Sequence, residues 1–200
     1  FLAQHLFYAA ACGLFVRALR PAITSGGLRF AIFALLLLNP MTYDVPGMGR
    51  VLRQQVYGPL ALMIFAGLIA LYFRRTAPVR RLLPWLLTLG LAAGAFYLTR
   101  EEVVWFVPSA ALLGAAFLWV SWRDAAARLA RNASLLALAG CVAAVPVFTV
   151  SALNKSHYGW FGTCEFRAPE FQDAYGAMLR VRVGPELPFV PVTREAREAM

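Results

Sequence analysis

The chain has 200 residues, of which 60% are apolar and only 14% charged, with a net charge of +9 at pH 7. The apolar residues come in blocks near membrane-spanning length, a composition that excludes a water-soluble domain. The arginines gather between those blocks, so the positive balance reports membrane topology, and no nucleic-acid partner is expected.

In chain order the apolar blocks cover residues 1–19, 22–38, 57–73, 82–98, 103–122 and 135–153. The predicted fold is all-α, a polytopic transmembrane helical bundle of about six spans in residues 1–153. A short extracytoplasmic tail of helical and irregular structure, 154–200, starts a further domain. The second block is diluted by "TSGGLRF", which leaves a re-entrant segment open as an alternative. A re-entrant course would carry Arg17 and Arg20 across the membrane, and charge bias opposes that.

The stretch "LTREEVVW" separates the fourth and fifth blocks. One helix over residues 82–122 would be about 60 Å long, twice the hydrocarbon thickness of about 30 Å. Burying Arg100, Glu101 and Glu102 at mid-membrane would also cost about 2.5–3.5 kcal/mol each, against roughly 0.3–0.6 gained per leucine. The three charges therefore mark a turn at a membrane surface. Arg17 and Arg20, then Arg74, Arg75, Arg80 and Arg81, then Arg123, Arg128 and Arg131 follow the first, third and fifth blocks. Those loops are expected to be cytoplasmic. The loop at 39–56, the "TREE" turn and the tail then face the other side.

The chain opens inside an apolar run and closes where a new helix starts after Thr193, so it reads as an excerpt of a larger protein. Basic residues follow the first block and none precedes it, which argues against a signal peptide. Cys12, Cys141 and Cys164 form no disulfide or metal pattern, and His5 and His157 lack ligands at metal-binding spacing, so no metal site is expected from the residues. A phosphate-binding glycine loop and a nucleophile elbow are also missing.

The polar residues on the expected extracytoplasmic side are the informative ones. In "NPMTYDVPGMGRVLRQQVY", Arg50, Arg53 and Tyr57 recur at helical spacing, after the single acid Asp44. Guanidinium forks at Arg50 and Arg53 match phosphate oxygens, although a helix anchored among lipid headgroups by snorkelling would show the same pattern. Arg100 joins them as a phosphate-binding candidate. Asp44, Glu101, Glu102 and His157 are candidates for lining the same cavity. Adjacent glutamates diverge by about 100° on a helix, so one of the pair at most faces a cavity. Against these readings stand a solvated hairpin tip for "TREE" and interfacial packing of His157 beside Tyr158 and Trp160. Trp105 and Trp119, near opposite ends of the fifth block, suit the two membrane interfaces. The tail holds a predicted helix from Pro169 to about Val181.

The segment "NPMTYDVPGMGRVLRQQVYGPLALMIFAGLIALYFRR" and the later "GLAAGAFYLTREEVVWFVPSAALLG" resemble the central spans of bacterial multi-spanning glycosyltransferases. The likeness is to the C-type superfamily that uses lipid-linked sugars, among relatives of the protein O-mannosyltransferases and the lipid A aminoarabinose transferase. It covers roughly residues 28–118 and rests on hydropathy rhythm and a few loop residues. It implies inverting transfer of a sugar from a polyprenyl phosphate to an acceptor on the extracytoplasmic face of a bacterial inner membrane. A divalent metal is implied by the resemblance alone. The partners implied are membrane lipid and the polyprenyl-phosphate-linked sugar. The family's acidic catalytic motif lies in an earlier external loop, which this likeness places upstream of Phe1, so Asp44 does not inherit that role and the catalytic residues stay unknown. A noncatalytic membrane scaffold is the main alternative. A transporter fits less well because the middles of the third to sixth blocks are almost wholly apolar.

Overall fold

A computed structural model describes residues 2–39, 54–99, 106–163, 168–180 and 194–198, and every regular element among them is α-helical. The helices are α1 (Leu2–Leu19), α2 (Gly26–Leu37), α3 (Gln54–Phe73), α4 (Val79–Thr99), α5 (Val107–Asp124), α6 (Ala126–Tyr158), α7 (Pro169–Arg180) and α8 (Arg194–Glu198). The chain divides into two compact units, residues 1–148 and 149–200.

Side-chain chemistry fixes where the helices begin and end. The "TSGG" that dilutes the second apolar block is a turn plus a cap: Ser25 Oγ accepts the backbone N–H of Leu28 at 3.3 Å, and α2 starts at Gly26. Pro108 sits in the first turn of α5, where its missing N–H leaves no gap in the ladder. At the far end of α6, Gly159 takes φ 78° and its N–H meets the Lys155 carbonyl at 3.0 Å. That left-handed residue stops the helix. The tail expected from residue 154 therefore begins as a continuation of α6 to Tyr158.

In the first unit α3 is the central helix, with α1, α4 and α5 packed around it, and α2 lies against α1. The contacts at helix ends give the directions. The Tyr8 hydroxyl on α1 donates to the Leu36 carbonyl of α2. Arg74, just past α3, donates to the Arg17 and Ala18 carbonyls at the end of α1. Tyr57 near the start of α3 meets Phe96 near the end of α4, and Phe96 meets Phe106 just before α5. Arg75 meets Asp124 at the end of α5. Successive helices from α1 to α5 thus run in alternating directions. The turns at 20–25, 74–78 and 125 gather at one end, which is the grouping the arginine asymmetry predicts.

Four helical segments are long and apolar enough to cross a membrane: Leu2–Leu19, Val56–Phe73, Val79–Thr99 and Ala126–Tyr158. This is the fold of an all-α membrane protein. Of the six expected spans, α2 has 12 residues, about 18 Å at 1.5 Å per residue. The fifth, α5, has 18 residues and ends in Arg123 and Asp124, which dilute its apolar character. Exposed Leu83, Leu87 and Leu91 recur at helical spacing on α4, a stripe suited to acyl chains.

The core joins Leu60, Ile64, Leu68 and Leu71 of α3 to Leu82, Trp85, Leu86, Leu89 and Phe96 of α4, with Phe117 of α5 and Leu135 and Ala139 of α6. Two glycines set the closest approach. A Cβ at Gly90 would stand 2.6 Å from Val142 Cβ and 2.7 Å from the Ala139 carbonyl oxygen. One at Gly94 would stand 2.5 Å from Pro146 Cγ and would also run into the Ala143 carbonyl. Gly90 and Gly94 are four residues apart, so "GLAAG" forms a small-residue seam along which α4 and α6 touch backbone to backbone.

In the second unit, the Asn154 side-chain amide donates to the Gly162 carbonyl at 2.6 Å, folding the segment after α6 back onto its last turns. The predicted helix from Pro169 is present as α7, where the Phe171 and Tyr175 rings lie 6.2 Å apart and nearly parallel.

Candidate functional site

The first unit has two chemically distinct ends. At one, the turns after α1, α3 and α5 bring arginines together. The Arg74 guanidinium donates to Ala18 and Arg17 carbonyls at 3.0 and 2.9 Å and lies over the Trp85 ring at 5.1 Å. It thereby satisfies the last carbonyls of α1 with a cation at the negative end of the helix. Burial first, then the charges of Arg17 and Arg20, pull the Arg74 pKa below its ordinary value. Beside it, Asp124 accepts from Arg75 Nε and pairs with Arg128, both at 2.9 Å.

Under these pairs lies a buried polar network. Asn132, fully buried, donates to Ser121 Oγ at 2.7 Å and to the Arg75 carbonyl at 3.4 Å. Its Oδ1 accepts from Arg131 Nε at 3.2 Å. Arg131 also donates to the Ala77 carbonyl at 3.3 Å and to that of Arg75. The α3–α4 turn is therefore held by donors from α6, which satisfy its backbone oxygens. Sequence reasoning used Arg131 for topology only and passed over Asn132 and Ser121. Polar residues interrupting apolar flanks were the available signal.

The hydrogen bond from Arg75 and then the one from Arg128 hold the Asp124 carboxyl below its ordinary pKa of 3.8. The ionised form is favoured in the folded state, so this stabilisation is complete above about pH 3.8 and is lost as pH falls through the lowered folded value. In thermal unfolding of the detergent-solubilised protein, Asp124→Asn is expected to be less stable than wild type at neutral pH. The difference should close in strong acid, and a difference that persists there would contradict the pairing.

The opposite end is aromatic. Tyr57 and Phe96 have ring centroids 4.4 Å apart, Phe96 and Phe106 5.0 Å, and Phe65 and Phe106 4.9 Å. Phe96 is 1% exposed, so this cluster is a packed plug joining the start of α3, the end of α4 and the residue that leads into α5. Those three helix ends are the attachment points of the loop that contains Arg53 and of the "TREE" turn.

Arg50, Arg53, Arg100, Asp44, Glu101 and Glu102 themselves lie outside the described residues, as do Trp105 and Cys164. His157 is described: it is exposed in the last turn of α6, within the second unit, with its ring 6.4 Å from that of Tyr158. Among the described residues, no three His, Cys, Asp or Glu side chains stand together as a metal-binding group. Cys12 is buried and Cys141 exposed, and both are free thiols. Trp119 and Trp122 are exposed beside Arg123 with rings 5.2 Å apart, an arrangement suited to the membrane interface.

No family model, no curated protein and no solved structure matches the chain.

Proposed function

We propose that the chain is the membrane region of a glycosyltransferase that takes a sugar from a polyprenyl-phosphate donor and passes it to an acceptor on the extracytoplasmic face of a bacterial inner membrane. The observation that carries the reading is the Tyr57–Phe96–Phe106 cluster, because it ties together the helix ends that lead to both arginine-bearing loops. Arg53 lies four residues before Tyr57 and Arg100 four residues after Phe96, so each arginine is close in sequence to a residue of the cluster. In this reading α2 and α5 are the second and fifth of six crossings, and the tail after α6 is extracytoplasmic. In this proposal Arg50, Arg53 and Arg100 hold the phosphate, and Asp44, Glu101 and Glu102 belong to the same two loops. The resemblance to lipid-linked-sugar transferases supplies the reaction class.

The test is sugar transfer in membranes containing the protein, normalised to its amount. Lysine at Arg50, Arg53 or Arg100 keeps the charge and removes the forked geometry, so transfer should fall by about tenfold, with glutamine worse still. If the three residues anchor the loop by snorkelling, lysine behaves like wild type. Wild-type rates in all three lysine variants would overturn the phosphate assignment and favour a noncatalytic scaffold.

A further inference from the structure

We infer that Arg17, Arg20 and Arg74, where α1 and α3 end together, form a binding site for the phosphate of an anionic phospholipid headgroup. Arg74 is fixed at this corner by its hydrogen bonds to the Arg17 and Ala18 carbonyls and by the Trp85 ring beneath it. Its own hydrogen bonds go to neutral backbone oxygens, so its charge is not neutralised by them. The Arg17 carbonyl that Arg74 grips also accepts the Arg20 backbone N–H at 3.3 Å, so the three residues meet at one helix end. Residues 1–43 and 45–100 contain no Asp or Glu at all, so the segments that build this corner bring no carboxylate. The next residue, Arg75, pairs with Asp124, which also pairs with Arg128. One part of the arginine-rich end therefore carries its own counter-charge, and the Arg17–Arg20–Arg74 corner does not among the described residues.

Like charges gathered at one corner repel, and a bound anion offsets that repulsion. The shared ligand chemistry is a phosphate oxygen pair facing guanidinium groups. A lipid is the occupant to which the position points. The corner lies where two membrane-crossing segments, Leu2–Leu19 and Val56–Phe73, both end. It is bordered by an indole, and exposed Leu28 and Phe30 of α2 flank the next arginine in the chain. Basic pockets between helix ends at a membrane surface hold anionic headgroups in this way.

The test is native mass spectrometry of the full chain in neutral detergent with phosphatidylglycerol or phosphatidylcholine added. Wild type should retain phosphatidylglycerol in preference to phosphatidylcholine, and about 10 mM inorganic phosphate should leave it bound. Arg17→Gln with Arg20→Gln removes two charges while leaving the backbone carbonyls that Arg74 grips, and should weaken retention roughly 25-fold, about fivefold per charge at a membrane surface. Arg80→Gln with Arg81→Gln removes the same charge from the first turn of α4, away from the carbonyls that Arg74 grips, and should weaken retention clearly less than the first pair does. Equal losses in the two double variants would show diffuse attraction and overturn the site. So would equal retention of phosphatidylcholine, or full displacement of the lipid by inorganic phosphate, which would make a soluble phosphate the ligand.

Discussion

Phe96→Ala is expected to cost about 3–5 kcal/mol of stability, the range for truncating a fully buried phenylalanine. Phe96 is 1% exposed and touches both Tyr57 and Phe106, so alanine opens a void where three helix ends meet. The damage should be local as well as global: the loops that leave this end lose their shared support, and any activity that depends on Arg53 and Arg100 should fall with it. Phe96→Leu refills part of the void and should recover more than half of the lost stability. Unfolding of the purified protein by graded denaturing detergent measures both variants. Equal stability of wild type and Phe96→Ala would show that the cluster does not hold the helix ends.

Gly94→Val should be nearly as damaging, for the opposite physical reason. Its first side-chain carbon would meet Pro146 Cγ at 2.5 Å and run into the Ala143 backbone, and backbone does not yield as a flexible side chain does. Overpacking of this kind costs about 1–3 kcal/mol, and separating α4 from α6 would raise the loss toward the upper figure. Gly140 supplies the control. It lies on α6 where a Cβ would meet nothing within 4 Å, so Gly140→Ala should be neutral or slightly stabilising through better helix propensity. Comparable losses at Gly94 and Gly140 would show that α4 and α6 are not joined along a glycine seam.

Apolar block length alone located α1, α3, α4 and α5 to within a few residues, because a run of about 20 apolar residues has few other solutions. The alternation of arginines also anticipated which turns share an end, since guanidinium groups stay out of hydrocarbon wherever the chain turns. Other features needed three-dimensional contacts. The extension of α6 to Tyr158 depends on Gly159 adopting a left-handed conformation, which polar "NKSH" disguises as loop. The Asn132 network joins residues from two helices and one turn, and only their meeting shows that the amide has partners. In "GLAAG" the glycine spacing was visible, but its partner face on α6 was not. Of the residues chosen for the site, His157 alone falls in the described part. It is an exposed residue of the second unit, so the helix ends, not the loop side chains, carry the structural support for that choice.

The proposed transfer stands or falls on which side of the membrane each end of the first unit faces. Single cysteines at Ala77, in the arginine-clamped turn, and at Thr99, the last residue of α4, report the two ends in a background lacking Cys12, Cys141 and Cys164. In intact cells with a permeabilised outer membrane, an impermeant thiol reagent should label the Thr99 position and leave the Ala77 position unlabelled until the inner membrane is opened. Labelling at Ala77 with protection at Thr99 would invert the topology and place the donor-phosphate arginines on the wrong face for the proposed transfer.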